Sequence, residues 1–450
     1  MIETIDDVET LVYRSYMRIY PDIPRGLDRD VRHPEYTRHL LDAGGALDRE
    51  MNNILVTGSK GKGSVSLLLA SCIHLCGYRG GLFTSPHLQT FRERIRVDGR
   101  AVPEDALIGA ARRLEEPFMA LESGLPQDRY LGPVGMAGVL AVDVFSRAET
   151  DVNVIELGRG ARFDDVAQIH GRWALINRVF PEHTDNLGET LEDVAWNKAG
   201  VIQPGMAAAF SGRQDPRVLP VLQQEADHCG VPLYVAGRDF RAEHVRVTLS
   251  GTVFDYVEGD RTVFRDLTVG LLGRHQADNG ALALFAARKI LDRDVPEAAL
   301  QAMWPKLRWF GRMEILARNP FTLLDGCINR DCIPAVLEVA SLNPGKPVVS
   351  VVGIPEEKDY LGVCQALDGA CDVMILTHAA NDFLKFSPEQ VDRVRRFRPD
   401  VLYVADSAEA CREACRQAGK DGTVLYVGTQ SLIKDVKSAY GQSTLDVFSP

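Results

Sequence analysis

The chain has 450 residues, 45% hydrophobic and 25% charged, which supports a sizeable core and leaves room for two or three domains. A formal net charge of -11 disfavours non-specific binding to nucleic acid or anionic membranes, since both need a basic face. The acidic start MIETIDDVET lacks the basic-then-apolar order of a secretion signal, and no apolar run approaches the ~18 residues of a membrane span, so the cytoplasm is the expected compartment.

Residues 1–50 carry mixed helical signals, and Asp28, Arg29, Asp30 and Arg32 suggest a solvated, charged connection. The apolar run Ile54-Leu55-Val56 then stops at Thr57 and Gly58, with Lys62, Gly63 and Ser64 shortly after. The following SVSLLLASCIHLC stays apolar at helical length. Strand, glycine-rich loop and helix in this order aim backbone N–H groups and a helix N-terminus at one spot, which suits phosphate. Gly58, Gly61, Lys62, Gly63 and Ser64 are therefore candidate nucleotide-binding residues. Lys62 would meet the terminal phosphates, and Ser64 would offer its hydroxyl to Mg²⁺. The strict Walker pattern is not met, because Gly63 stands where Ser or Thr would follow the lysine. The alternative is an ordinary glycine-rich turn.

GGLFTS (80–85) reads as a second short strand ending at Ser85-Pro86, and LQTFRERIRVDGR as a polar loop. Residues 103–124 and 133–148 have helical spacing. DVNVIEL is a strand that ends on Glu156, and RWALINRVF is another, followed by Glu182 and His183. Residues 190–199 and 216–228 read as helices, MAAAF and VPLYVAG as strands. Such alternation predicts a mostly parallel sheet covered on both faces, with ligands at the carboxyl ends of its strands. Ser85, Glu156 and His183 all fall there. Residues 244–270 alternate and carry Gly251 and Gly259, so antiparallel hairpins are expected. GRHQADNGALALFAARKIL is a helix, and residues 293–311 contain the expected hinge. FTLLDG, PVVSVVGI, DVMILTH, VLYVAD and TVLYVG are strand candidates of a second doubly wound unit.

None of the nine cysteines has zinc-site spacing; Cys72 and Cys76, Cys411 and Cys415, and Cys327 and Cys332 read as free thiols. A dehydrogenase is disfavoured, because no G-x-G-x-x-G follows the first strand.

Taken together, TGSKGKGS, LFTSPHLQTFRERIRVDG, IELGRGARFD, HTDNLGETLEDVAWNKAGVI, GRHQADNGALA, GRMEIL and LLDG resemble folylpolyglutamate synthase and dihydrofolate synthase of the Mur ligase superfamily, over about residues 35–440. The resemblance implies an α/β protein in two parts. A doubly wound parallel-sheet P-loop domain (1–300) would precede a smaller Rossmann-like domain (311–450). It implies an ATP-dependent ligase that makes an acyl phosphate from a carboxylic acid and then an amide, typically with L-glutamate. Ser64, Ser85, Glu156 and His183 resemble the Mg²⁺-binding positions, of which two ions are implied. Lys62, Lys198 and His183 would be catalytic. Lys198 matches a lysine that the superfamily carbamylates. Gln276 and Asn279 resemble ATP contacts, and Arg312 and Asp325 resemble residues brought over the nucleotide by the C-terminal domain. The implied partners are small molecules, with no nucleic acid or membrane.

The sequence departs from the family at Ile328 (usually His), at Asp165-Val166-Ala167 (usually Ala-Thr-Asn), at Phe310 (usually Pro) and at Glu182 (usually Asp). These changes imply that folate and glutamate are a poor pair here. They keep a non-folate acid as an alternative substrate, and a non-catalytic nucleotide-binding scaffold as a second alternative.

Overall fold

The computed structural model describes residues 2–23, 25–381 and 384–448. Its first sheet has eight strands: β1 (Asn53–Thr57), β2 (Gly80–Phe83), β3 (Ile95–Val97), β4 (Arg100–Ala101), β5 (Val152–Glu156), β6 (Trp173–Ile176), β7 (Ala208–Ser211) and β8 (Leu233–Val235). Their order is β4-β3-β2-β5-β1-β6-β7-β8. Neighbours from β2 through β8 run parallel, while β3 and β4 form an antiparallel edge. A parallel sheet needs cover on both faces, and the side chains divide accordingly. Ile54, Val56, Val154 and Leu175 pack into one apolar cluster, and Leu55, Ile155, Ala174 and Ile176 into the other. This is the two-residue alternation of a strand, written in uninterrupted apolar runs because both faces are interior.

The helix Lys62–Leu75 is buried from Gly63 through Ile73. It lies between the sheet and the helix His275–Leu291, which is why its sequence is apolar all round. The helices Glu104–Ser123, Pro133–Arg147, Leu191–Ala199 and Val218–Cys229 lie where the spacing puts them. No helix among the described residues is long and apolar enough to cross a membrane.

Two expectations need correction. LQTFRERIRVDGR is not a loop but contains β3 and leads into β4 at Arg100. Its arginines disguised it: Arg96 is buried and donates to the carbonyls of Leu445 and Thr444 at 2.8 and 2.7 Å. The chain's last described stretch thus runs along this edge, where the N–H of Val447 donates to the carbonyl of Gly99 at 3.0 Å. Residues 28–32 are a solvated connection only at Arg29 and Asp30, which are exposed. Asp28 is buried and paired with Arg159, and Arg32 reaches Asp165 at 3.1 Å. A charge-rich segment is solvated only when its charges lack partners elsewhere in the fold.

β9 (Phe240–Thr248), β10 (Gly251–Glu258) and β11 (Arg261–Val269) form the antiparallel meander that the alternation predicts. The last sheet comprises β12 (Glu314–Arg318), β13 (Phe321–Asp325), β14 (Val348–Gly353), β15 (Val373–Leu376), β16 (Leu402–Tyr403) and β17 (Thr423–Gly428), in the order β12-β13-β17-β14-β15-β16. Five of these were expected. β12 was not, because it is a half-buried antiparallel edge strand without a clean apolar run.

Candidate active site

β2, β5, β1 and β6 are adjacent and parallel, so their carboxyl ends open on one edge. The register sets Phe83 beside Ile155, Val56 beside Glu156, and Thr57 beside Ile176. Ser85, the glycine loop, Glu156 and the segment after β6 are brought together by that register alone.

The loop is held by close packing. Gly58 has φ +143° and Gly61 φ +74°, and a Cβ at either would lie 2.9 or 2.7 Å from Asn177. A Cβ at Gly63 would lie 2.7 Å from the Trp309 ring. Gly58 and Gly61 need glycine for both backbone freedom and space, and Gly63 for space alone. Asn177 Nδ2 donates to the carbonyl of Lys60 at 3.2 Å and to Asn279 Oδ1 at 2.8 Å. Asn279 in turn donates to Gln276 Oε1 at 2.8 Å. Gln276 and Asn279 are therefore coupled to the loop through Asn177. Ser64 is buried in the first turn of the helix that follows.

Lys62 Nζ donates to the carbonyl of Gly58 at 3.0 Å. Lys198 Nζ, with no exposure, donates to the same carbonyl at 3.0 Å and to that of Arg159 at 2.7 Å, and it is ion-paired with Glu182 at 2.9 Å. Burial and the nearby Lys62 push Lys198 down to about 8, with Glu182 opposing. Glu156 accepts the N–H of Ser85 at 3.1 Å. Burial pushes its carboxyl up to about 7, against the pull of Lys62, the Ser85 N–H and Arg312. His183 sits at φ +48° before the short helix Thr184–Leu187. Burial lowers its imidazole; Glu182 opposes, while Arg159, Lys198 and Lys62 add to the lowering. His183 thus shares the field of the same lysines.

The last sheet reaches the same place. Asp325 accepts the N–H of Met313 at 2.8 Å, and burial raises its carboxyl against the pull of Arg312 and, more weakly, Lys60. Arg312 lies against Gly326. Lys60 Nζ is 2.7 Å from Cys332 Sγ. Trp309, Arg312 and Cys332 therefore roof the glycine loop.

Among the described residues no three His, Cys, Asp or Glu side chains are grouped to hold a metal. The expected set pairs only Glu156 and His183 with the hydroxyls of Ser64 and Ser85, and no hydrogen bond or ion pair among the described residues joins His183 to Glu156. The donor chemistry still fits a hard cation through carboxylate and hydroxyl oxygens, with the His183 imidazole the one nitrogen donor. A carboxyl raised to about 7 by burial is a group whose ionised form a cation would stabilise.

The departures acquire packing reasons. Val166 and Ala167 are buried in the core beneath the sheet, and Asp165 is held by Arg32. Phe310 lies under Lys437, whose Nζ is 4.3 Å from the ring centroid. Only Ile328, half-buried beside Cys327, stays on the segment over the loop. Sequence reasoning missed Asn177, Arg159, Lys60 and Trp309. Asn177 left a signal, a polar amide ending an apolar strand; the contact of Trp309 with Gly63 crosses the fold and left none.

Residues 311–430 match the Mur ligase, glutamate ligase domain family. A probable bifunctional folylpolyglutamate synthase/dihydropteroate synthase of Haloferax volcanii is 29% identical over 419 residues, 91% of this chain. The alignment takes in 49% of that relative, so the chain spans about half its length. The dihydrofolate synthase/folylpolyglutamate synthase of Mycobacterium tuberculosis is 27% identical over 403 residues, 83% of this chain and 80% of the relative. The structure of the Mycobacterium tuberculosis folylpolyglutamate synthase complexed with ADP and AMPPCP has the same fold, with a TM-score of 0.84 at 22% identity over 97% of this chain and 99% of that one. The order of motifs, the two sheets and these likenesses agree: the chain carries a match to the Mur ligase, glutamate ligase domain at residues 311–430, and over most of its length it is similar to folylpolyglutamate and dihydrofolate synthases.

Proposed function

We propose that the protein is an ATP-dependent carboxylate–amine ligase that joins L-glutamate to a folate-type acid. The observation that carries this reading is the convergence of Lys62, Lys198, Glu156 and Arg312 on one glycine loop, from both sides of the molecule. The names of the relatives, folylpolyglutamate and dihydrofolate synthases, support the substrate pair.

Activating a carboxylate with ATP asks for charge neutralisation and in-line positioning more than for covalent help. The loop N–H groups and the N-terminus of the helix Lys62–Leu75 supply fixed dipoles. Lys62 exchanges the carbonyl of Gly58 for phosphate oxygens, and Arg312, oriented beside Asp325, adds a second cation where charge develops. Ser64, Ser85, Glu156 and His183 would hold Mg²⁺, which when bound neutralises phosphate charge. Gln276 and Asn279 keep the loop in place through Asn177. Residues 1–300 are assigned the nucleotide cradle and residues 311–450 the closing unit.

The proposal extends to carbamylation of Lys198. An amine held down near 8 is neutral often enough to add CO₂, and the product turns a buried cation into an anion beside the metal positions. Glu182 must then release it.

Purified protein with ATP, Mg²⁺, L-glutamate and dihydropteroate or a reduced folate tests the reading. ADP and phosphate should appear only when acid and amino acid are both present. A second reading, a ligase for a non-folate acid, is favoured by Ile328 alone. It requires the same release with a non-pterin acid and none with the folates. Nucleotide binding without release under any pairing would leave a scaffold.

A further inference from the structure

The segment 326–332 crosses the glycine loop carrying two thiols. Cys332 is half-buried, and its Sγ lies 2.7 Å from Lys60 Nζ. Cys327 is buried; its Sγ donates to the carbonyl of Asn329 at 3.0 Å, and its side chain is also within hydrogen-bonding reach of Cys332. No other sulfur among the described residues is hydrogen-bonded to a cationic side chain.

The pair is electrically asymmetric. The neighbouring Cys327 thiol, then Lys60, pull the Cys332 thiol below its usual range against burial. The neighbouring Cys332 thiol, and burial, push Cys327 far up, with Asn329 opposing and Asp325 adding to the rise. Burial pushes Cys72, Cys76, Cys364, Cys371 and Cys411 up as well. An accessible thiolate with a protonated thiol against it is the arrangement in which oxidation becomes selective.

We propose that Cys332 and Cys327 are a peroxide-reactive dithiol that closes to a disulfide over the glycine loop. The Cys332 thiolate attacks one oxygen of hydrogen peroxide: an S–O bond forms, the O–O bond breaks, and the departing hydroxide takes a proton and leaves as water. The Cys327 thiol then attacks the sulfenic sulfur: the S–S bond forms, the S–O bond breaks, and a second water carries away the oxygen and the thiol proton. Two thiols lose two electrons, and one peroxide is reduced. Lys60 loses its anionic partner, and the segment bearing Ile328 and Asn329 is tied into a ring.

The site suits a mass measurement, because Arg330 lies between the cysteines. Trypsin separates residues 319–330 from the peptide that begins at 331, and only a disulfide holds the two together. The full-length protein is treated with stoichiometric hydrogen peroxide, alkylated, and digested without reductant. The expected result is this linked peptide pair, reversed by dithiothreitol, with the nine free thiols falling by two. In Cys327→Ser, dimedone should trap a sulfenic acid at Cys332. In Lys60→Met, alkylation of Cys332 at pH 7 should slow at least tenfold. Nine thiols remaining, linkage through other cysteines, or a Cys332 no faster to alkylate than Cys415 would overturn the proposal. The readout is independent of ligase activity, so its failure is distinguishable from failure of the function proposed above.

Discussion

Lys62 and Lys198 donate to one acceptor, the carbonyl oxygen of Gly58, each at 3.0 Å. One lysine belongs to the glycine loop and the other to the helix Leu191–Ala199. Two cations on one carbonyl repel, and Lys62 is, after burial, the main reason that Lys198 is held low. The shared oxygen also ties loop geometry to a second helix. A charge that draws Lys62 away leaves Gly58 to Lys198.

Removing Lys62 should therefore spare the loop and abolish the chemistry. Lys62→Ala is expected to keep its circular dichroism spectrum and melting temperature, because Lys198 still holds Gly58. Its kcat should fall by about 10²–10³-fold, the scale of losing one fixed donor to developing charge. A coupled ADP-release assay reads this, and turnover within a few-fold of wild type contradicts the assigned role.

Lys198→Ala is expected to be inactive for a different reason, the loss of a carboxylate-forming amine. Small carboxylic acids such as formate or acetate should restore part of the rate in Lys198→Ala but none in Lys62→Ala. Lys198 titrates near 8, so its neutral fraction falls as pH falls. Added bicarbonate should thus stimulate the wild type more at pH 6.5 than at pH 9. A bicarbonate effect that grows with pH would oppose carbamylation.

Glu156 gives a stability prediction whose sign follows from its raised carboxyl. Below the unfolded value of 4.5 both states are protonated and nothing is lost. Between 4.5 and about 7 the unfolded chain ionises first, so folding stability falls as pH rises. Above about 7 both states are ionised, and the folded state bears the whole burial penalty. Glu156→Gln should accordingly raise the melting temperature of the nucleotide-free protein at pH 8, leave it nearly unchanged at pH 4, and lose activity at both. Differential scanning calorimetry checks it; destabilisation at pH 8 would contradict the penalty.

The sequence carried the first sheet plainly, since β1, β5 and β6 are short apolar runs between breakers. It also carried Ser85 and Glu156 as strand-end residues, because parallel order aligns strand ends before any side chain is placed, whereas His183 lies beyond the end of β6 at Ile176, just before the helix Thr184–Leu187. It hid β3, where buried Arg96 satisfies carbonyls from the far end of the chain. It hid Asp28, whose partner Arg159 is over a hundred residues away. It also made Asp165-Val166-Ala167 look like substrate contacts, although Val166 and Ala167 are core and Asp165 answers Arg32. Local pattern reports burial poorly when the compensating group is distant in sequence.

The buried pair Lys437–Glu314, 2.5 Å apart, underlies the roof of the site. Glu314 also accepts the N–H of Gly311 at 2.7 Å, next to Arg312. Lys437→Met should leave a buried carboxylate unpaired and destabilise the protein by about 3–5 kcal/mol in urea unfolding. A loss below about 1 kcal/mol would mean that the pair is solvated.

The central claim, activation of a carboxylate by ATP at the Gly58 loop, is tested most directly by isotope transfer. Dihydropteroate labelled with ¹⁸O in its carboxylate is incubated with the protein, ATP, Mg²⁺ and L-glutamate, and the released phosphate is analysed by mass spectrometry. One ¹⁸O per phosphate is expected, together with loss of both label transfer and phosphate in Lys62→Ala. Unlabelled phosphate released at the wild-type rate, or amide formed without phosphate, would contradict the account.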